Sequence, residues 1–257
     1  MVIFIYGVIV MFAAVAGTVS GLGGGVIIKP LFDMAGFHSM GEIGFYSSVS
    51  VFTMSLVSMI KQIKGGFEFN YKKILYISCG SIIGGLIGEK IFEEVASLFS
   101  NRQVKVIQSS IFALILLSVL IYTFNKHKMK QYKLKNFFAV FLTGLILGAV
   151  SVFLGIGGGP LNIAVLMLLF SCDMKDSAVY SIVMIFFSQL SKLGSLLVEG
   201  KVTDYELSLV PAICTISIVG GFIGTILNQR LDSRKIEKIY VTILIGLFLI
   251  ALYNVFV

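Results

Sequence analysis

Long apolar runs separated by short polar connections make up almost the whole chain. Eight runs approach the ~20 residues that a helix needs to cross a bilayer, at 2–20, 43–60, 74–92, 106–124, 137–154, 177–198, 206–227 and 237–257. Two shorter apolar pieces, 26–35 and 160–171, each follow a cluster of glycines. The pattern predicts an all-α membrane protein, and the connections are too short for a soluble domain.

The second half of the chain repeats the first. The cluster Gly21–Gly25 returns 134 residues later as Gly155–Gly159. The same offset relates further acidic, aromatic and glycine positions, among them Glu42 and Asp176, Tyr46 and Tyr180, Phe52 and Phe186, and Gly66 and Gly200. We expect two homologous four-segment repeats, residues 1–125 and 137–257, joined by a basic linker at 126–136. Hydrophobic halves interrupted at matching places are typical of transporters whose site lies between the repeats.

Composition narrows the class of protein. Apolar residues make up 57% of the chain and charged residues 13%, which leaves too little polar surface for a water-soluble globule of this length. The net charge of +7 comes from Lys and Arg beside the apolar runs, so it indicates membrane topology and no nucleic-acid partner. Cys79, Cys172 and Cys214 have no paired spacing, which argues against a disulfide framework or metal cluster. We expect no cofactor.

The glycine clusters predict a break in the first helix of each repeat. A straight helix from residue 2 to residue 36 would be ~50 Å long, well beyond a ~30 Å hydrocarbon core. Glycine tolerates the backbone angles that a break needs. If the piece after the break turns back as a re-entrant arm, the two repeats face opposite ways, and otherwise they are parallel.

Charge favours the inverted arrangement. The linker carries five lysines, Lys126, Lys128, Lys130, Lys133 and Lys135, and the positive-inside rule places it in the cytoplasm. Inverted repeats then put most of the remaining Lys and Arg on the same side, whereas parallel repeats divide them almost evenly. We therefore expect inverted repeats, each with a broken or re-entrant first helix.

These features resemble the sulfite exporter TauE/SafE family of membrane permeases. The matching features are the glycine cluster of each half, Lys29-Pro30 after the first cluster, Gly66 and Gly200 four residues before Asn70 and Asp204, and the glycine-rich stretches 80–88 and 220–224. Family members often carry Gly-Thr-Ser in the second segment, where this chain has Ser47-Ser48 and Ser181-Ile182. The resemblance implies a multi-pass permease of the bacterial inner membrane that moves small anions such as sulfite, sulfonates or sulfoacetate.

Broken helices suit an anion because their first turns present free N–H groups and a positive dipole end. Lys29 adds a full charge one turn after the first cluster, and Asn162 adds an amide after the second. The predicted substrate-binding residues are Gly23, Gly24, Gly25, Lys29, Ser47, Ser48, Gly157, Gly158, Gly159, Asn162, Ser181, Ser188, Gln189 and Lys192.

Each of these assignments has a structural alternative. The glycines could serve close helix packing, since Gly17, Gly21, Gly144 and Gly148 form small-residue faces. Lys29 and Lys192 could extend to the headgroups, and the hydroxyls could bond their own helices. Glu42 and Asp176 are interpreted as helix-start charges favoured by the dipole rather than as proton-coupling groups.

We expect a secondary transporter that exports small sulfur-containing anions by alternating access, with the lipid bilayer and a small anion as partners. A passive anion channel or an uptake permease for another small organic anion is the alternative. An intramembrane enzyme is not expected, because His38 and His127 are far apart at loop positions and no cluster of catalytic side chains lies within the spans.

Overall fold

A computed structural model describes residues 2–68, 70–126, 128, 132–134 and 136–256. Within these ranges the chain is helical, with no strand. The ten α-helices are α1 (Val2–Ser20), α2 (Gly25–Ala35), α3 (Met40–Lys64), α4 (Tyr71–Leu98), α5 (Asn101–Asn125), α6 (Phe137–Leu154), α7 (Gly159–Phe170), α8 (Met174–Val198), α9 (Val210–Arg230) and α10 (Ser233–Phe256). Two short 3₁₀ helices, Lys201–Asp204 and Leu207–Leu209, connect α8 to α9.

The eight predicted spans and the two shorter apolar helices are confirmed. Eight helices are long and apolar enough to cross a membrane, while α2 and α7 have 11 and 12 residues. Several helices begin a few residues before their apolar runs because polar caps start them. At α3 the Ser39 side chain accepts from the Glu42 N–H while the Glu42 carboxylate accepts from the Ser39 N–H, a capping box. The interpretation of Glu42 as a helix-start charge therefore fits its position.

The pair α1–α2 forms a re-entrant hairpin. Tyr6, near the start of α1, stacks on Phe32 near the end of α2 with ring centroids 3.7 Å apart. Its hydroxyl lies 2.8 Å from Nδ1 of His38, just beyond α2. Since residues on either side of the break meet again, the end of α2 lies beside the start of α1.

The pair α6–α7 turns back in the same way. The N–H of Tyr132, which precedes α6, donates to the carbonyl of Leu168 near the end of α7 at 2.8 Å, and the N–H of Leu134 donates to Leu169 at 3.0 Å. Of the basic linker, Lys130 and Lys135 lie outside the described residues, as does His127. Both short apolar helices are thus the returning arms of hairpins.

Glycine faces bring two pairs of parallel helices into close contact. Between α4 and α6, Gly144 lies against the backbone of Ile77, and Gly148 against that of Ser81. Between α1 and α9, Gly220 lies against Ala14. Small residues at such positions let helix backbones approach within the membrane, where packing replaces the hydrophobic effect.

Two further pairs of helices run antiparallel. Phe52 of α3 stacks on Phe186 of α8 with centroids 5.2 Å apart, and Gly44 of α3 lies against the Lys192 ammonium. Lys126, directly after α5, forms a 2.6 Å ion pair with Glu237 of α10. Helices α3 and α8 are the most buried of the long helices and form the core. The outward faces of the bundle carry large apolar side chains such as Phe4, which is 77% exposed and suits contact with lipid.

Candidate functional site

The two glycine breaks meet at the centre of the molecule. Gly159 lies directly against the carbonyl of Leu22, so a side chain at Gly159 would collide with the first break. A Cβ at Gly25 would lie 2.7 Å from the Ile156 carbonyl oxygen of the second break. The backbones of both hairpin tips are therefore in contact, and glycine is the residue that permits it.

Left-handed backbone angles turn each tip. Gly23 has φ +72°, and Gly157 and Gly158 have φ +76° and +72°, a region that other residues adopt with strain. The Gly24 carbonyl accepts from the N–H of Ile28 at 2.8 Å, and the Gly158 carbonyl accepts from Asn162 at 3.0 Å, so α2 and α7 start at the tips. This confirms the predicted breaks and gives each tip a helix N-terminus.

Side chains of α3 and α8 pack against the tips. Ile185 of α8 contacts both Gly23 and Gly157, and Val51 of α3 contacts both Gly25 and Gly157. Val51 and Ile185 are related by the 134-residue offset. The junction of the tips is therefore filled by two side chains that the 134-residue offset relates.

Lys29 is buried beside the second break. Its side chain is 3% exposed, and its ammonium donates to Gln108 Oε1 of α5 at 2.5 Å and to the Leu154 carbonyl at 2.7 Å. Leu154 is the last residue of α6, where a cation offsets the unpaired carbonyls of the helix end. Lys29 thus ties α2 to the second break and does not reach the headgroups.

Lys192 forms a buried ion pair about two turns along α8 from Ile185. Its ammonium is 3.4 Å from Glu89 Oε2 of α4, and both side chains are about 5% exposed. Glu89 Oε2 accepts no hydrogen bond, so the attraction between the two charges is electrostatic. Lys192 is 4% exposed, so its ammonium lies inside the protein beside Glu89 and does not extend from the surface.

The predicted hydroxyls divide into three groups. Ser47 donates to the Gly155 carbonyl of the second break at 3.3 Å. Ser48 and Ser188 bond their own helices, at Gly44 and Ile185. Ser181, at the position of α8 that corresponds to Ser47, is fully buried, and its hydroxyl has no partner.

Two amides complete the set. Asn162 lies in the first turn of α7, 1% exposed, and its Oδ1 has no hydrogen-bond partner. Gln189 lies one turn beyond Ile185, is 1% exposed, and its Nε2 has no partner. Buried polar groups of this kind are uncommon in folded proteins and call for a ligand, a water or another function.

The structure therefore brings the six glycines, Lys29, Ser47 and Asn162 to the junction, with Ser181 and Gln189 on the α8 face that packs there. Sequence reasoning missed Val51, Ile185, Gln108 and Glu89. The repeat offset could have pointed to Val51 and Ile185. Gln108 and Glu89 carried a weaker signal, as isolated polar residues inside predicted spans.

One end of the α3–α8 pair is closed by the loop after α8. Tyr205 stacks on Phe45 with centroids 4.6 Å apart, and Tyr46 donates to the Glu206 carbonyl at 2.8 Å.

The same loop is fastened to α4. Lys201 bonds Glu93 and Glu199, and these bonds raise the pKa of Lys201 and, together with a bond from Ser195, lower the pKa of Glu199. Within the described ranges no three His, Cys, Asp or Glu side chains are grouped for a metal ion.

Comparison with known proteins places the whole chain in one class. The sequence model of the family described as "Sulfite exporter TauE/SafE" matches residues 6–251. The chain is 27% identical over 271 residues to the "Probable membrane transporter protein YunE" of Bacillus subtilis (strain 168), covering 95% of this chain and 96% of that protein.

Proposed function

This chain belongs to the sulfite exporter TauE/SafE family of membrane transporters, and we propose that it exports small sulfur-containing anions such as sulfite, sulfonates or sulfoacetate. The observation that carries the proposal is the contact between the two glycine breaks. The first turns of α2 and α7 bring N–H groups without intrahelical partners to this junction, together with the positive ends of two helix dipoles. Such an arrangement favours a negative solute.

Lys29 gives the junction a net positive charge. Its two hydrogen-bond partners are neutral oxygens, those of Gln108 and Leu154. Lys192, by contrast, is balanced by Glu89. An anion that enters between the tips would therefore find an ammonium whose direct hydrogen-bond partners are neutral, and it could exchange places with one of them.

Unpartnered donors on α8 support a polar guest on the same face. The Ser181 hydroxyl and the Gln189 Nε2 are buried without partners, on either side of Ile185. A sulfonate offers three acceptor oxygens and could satisfy donors of both kinds. The six glycines, Lys29, Ser47, Asn162, Ser181 and Gln189 are the proposed anion site, whereas Ser48, Ser188 and Lys192 support α3 and α8.

The packed junction favours a carrier over an open pore. Val51 and Ile185 fill the space between the tips, so an anion reaches the site after helices have moved. The closed end at Tyr46 and Tyr205 fits an occluded state that opens toward one side at a time, which is the behaviour expected of a repeat-built transporter.

We propose inverted repeats as the basis of this movement. The offset equates α3 with α8 and α5 with α10, and each of these pairs runs antiparallel. It also makes the α1–α9 contact equivalent to the α6–α4 contact. The same set of helix contacts is therefore obtained when each helix is replaced by its equivalent in the other half. The packed units are then α1, α3 and α9 on one side and α6, α8 and α4 on the other, each built from both halves, and these units would rock against each other.

Transport of radiolabelled sulfoacetate into proteoliposomes loaded with unlabelled sulfoacetate tests the proposal. We expect exchange that saturates with substrate concentration. Lys29→Ala should weaken apparent affinity about tenfold or more, because a hydrogen bond to a charged group contributes about 1.5–3 kcal/mol. Lys72→Ala removes an exposed lysine and serves as the control.

Two results would contradict the proposal. Exchange that rises without saturation would indicate a pore. The absence of exchange for sulfoacetate, sulfite and simple sulfonates alike would remove this substrate class.

A further inference from the structure

Beside Lys29, on the side of the hairpin return, lies a small cavity between α2 and α5. It encloses about 10 Å³ and is lined by Lys29, Asp33, Gln108 and Ser109 among others, which is about the room that one water molecule needs. Exposure rises along α2 from 3% at Lys29 to 9% at Asp33. Lys105 of α5 is partly buried. The cavity thus places Asp33 and Lys29 around one small buried space beside the proposed anion site.

Asp33 is the unexplained group in this cavity. Its Oδ1 is buried and has no hydrogen-bond partner. Lys29 lies four residues earlier on the same helix face, but its ammonium bonds Gln108 and Leu154. Burying an ionised carboxylate without a hydrogen-bond partner costs free energy. Protonation of Asp33, or movement of the Lys29 ammonium to Asp33, would remove this cost.

Packing does not require these charges. At the positions of the second repeat that correspond to Lys29 and Asp33, the chain has Ile163 and Met167, both buried. The hairpin α6–α7 is therefore built without charges at these positions, so a hairpin of this kind does not by itself require them.

The charged and titratable groups around Asp33 come from three helices. Lys29 of α2 and Lys105 of α5 act on it electrostatically, and Tyr6 of α1 lies within its field. Glu42 of α3 acts on Tyr6, and α10 contributes the neutral amide of Asn254, which donates to the Pro30 carbonyl. Lys29 is thus the group through which a change at Asp33 reaches the glycine tips.

We propose that Asp33 is a proton-binding site coupled to the anion site, so that a proton and the anion bind together. This inference rests on the proposed function. Ionised Asp33 competes with the anion for the field of Lys29, whereas protonated Asp33 leaves the whole charge of Lys29 to the anion. By linkage, the anion in turn favours the protonated form. Anion affinity therefore rises as pH falls.

Proteoliposomes with a pH-sensitive dye inside test the coupling, with sulfoacetate as the probe because its charge is constant in the neutral range. In the wild type we expect proton movement in the same direction as sulfoacetate, and affinity about fivefold or more higher at acidic than at alkaline pH. Asp33→Asn should keep sulfoacetate exchange but lose both proton movement and the pH dependence of affinity.

Two further variants separate coupling from folding. Asp33→Glu keeps a carboxylate and should retain proton movement. Asp204→Asn removes an exposed carboxylate and should behave as the wild type. Proton movement that persists in Asp33→Asn, or net uptake of sulfoacetate down its gradient by the wild type without proton movement, overturns the inference.

Infrared titration measures the protonation of Asp33 without any substrate. The wild type should show a buried carboxyl band that is absent from Asp33→Asn, and the lack of such a difference overturns the proton site. Failure of exchange in the wild type with the band present would instead contradict the proposed substrate.

Discussion

Two buried lysines have different partners. We therefore expect Lys29 to serve the proposed anion site and Lys192 to serve stability. Lys29 bonds two neutral oxygens and keeps its charge available at the junction of the glycine tips. Lys192 faces Glu89 at 3.4 Å, and the pair joins α8 to α4. If Lys29 belongs to the proposed anion site, removing it should weaken anion binding, whereas removing Lys192 should lower the stability of the fold.

We expect Lys192→Met to destabilise the protein by about 3–5 kcal/mol, because it leaves Glu89 buried without a countercharge. Replacing both partners, as Glu89→Leu/Lys192→Met, should restore stability to near the wild-type value. Denaturant unfolding in mixed micelles measures the difference. Lys201→Met breaks a partly exposed ion pair with Glu93 and should change stability by about 1 kcal/mol or less. A double variant as unstable as the single one would contradict the assignment.

The sequence could predict the glycines but not the partners of the lysines. A fixed offset marks both tips, and Lys29 follows the first within one turn. Glu89 and Gln108 lie on other helices, about 100 and 80 residues from their lysines, and their pairing depends on which helices pack together. Helix pairing is a long-range property that the local pattern does not contain.

Several α-helices extend beyond their apolar runs because caps and charges lengthen them, whereas α1 and α6 coincide with their runs. The apolar run of α4 covers 74–92, yet the helix spans Tyr71–Leu98 because Asn70 caps its start, with its side chain accepting from the Lys73 N–H. Charged residues such as Glu93 and Glu94 extend the helix beyond the hydrocarbon. Hydropathy therefore located the helices, and polar residues set their lengths.

The hairpin tips depend on the absence of side chains. Gly159→Ala should destabilise the protein by about 1–3 kcal/mol, the usual cost of overpacking, because its Cβ would meet the backbone of Leu22 and force the tips apart. Gly246→Ala in α10 has open space around the new methyl group and should be neutral or stabilising by up to about 1 kcal/mol. Thermal unfolding in detergent compares them, and equal stability would mean that the tips do not need contact.

The three-dimensional arrangement interleaves the two halves of the chain. Helix α9 of the second half packs on α1 and α3 of the first, and α4 of the first half packs on α6 and α8 of the second. The repeat offset predicts equivalent helices, but it does not say with which copy each one packs. The consequence is that movement of one sequence half against the other would break the glycine-lined contacts, whereas rocking of the interleaved units keeps them.

Inverted repeats make a prediction that parallel repeats do not share. Lys64 and Val198 occupy corresponding positions near the ends of α3 and α8, and both are exposed. Because α3 and α8 are antiparallel, we expect these positions on opposite sides of the membrane. Lys64 should lie on the cytoplasmic side, together with the basic linker. In a background without Cys79, Cys172 and Cys214, a membrane-impermeant maleimide should label Val198→Cys in intact cells and Lys64→Cys after permeabilisation. Labelling of both variants from the same side would refute the inverted arrangement, and with it the equivalence of the two tips on which the proposed transport cycle depends.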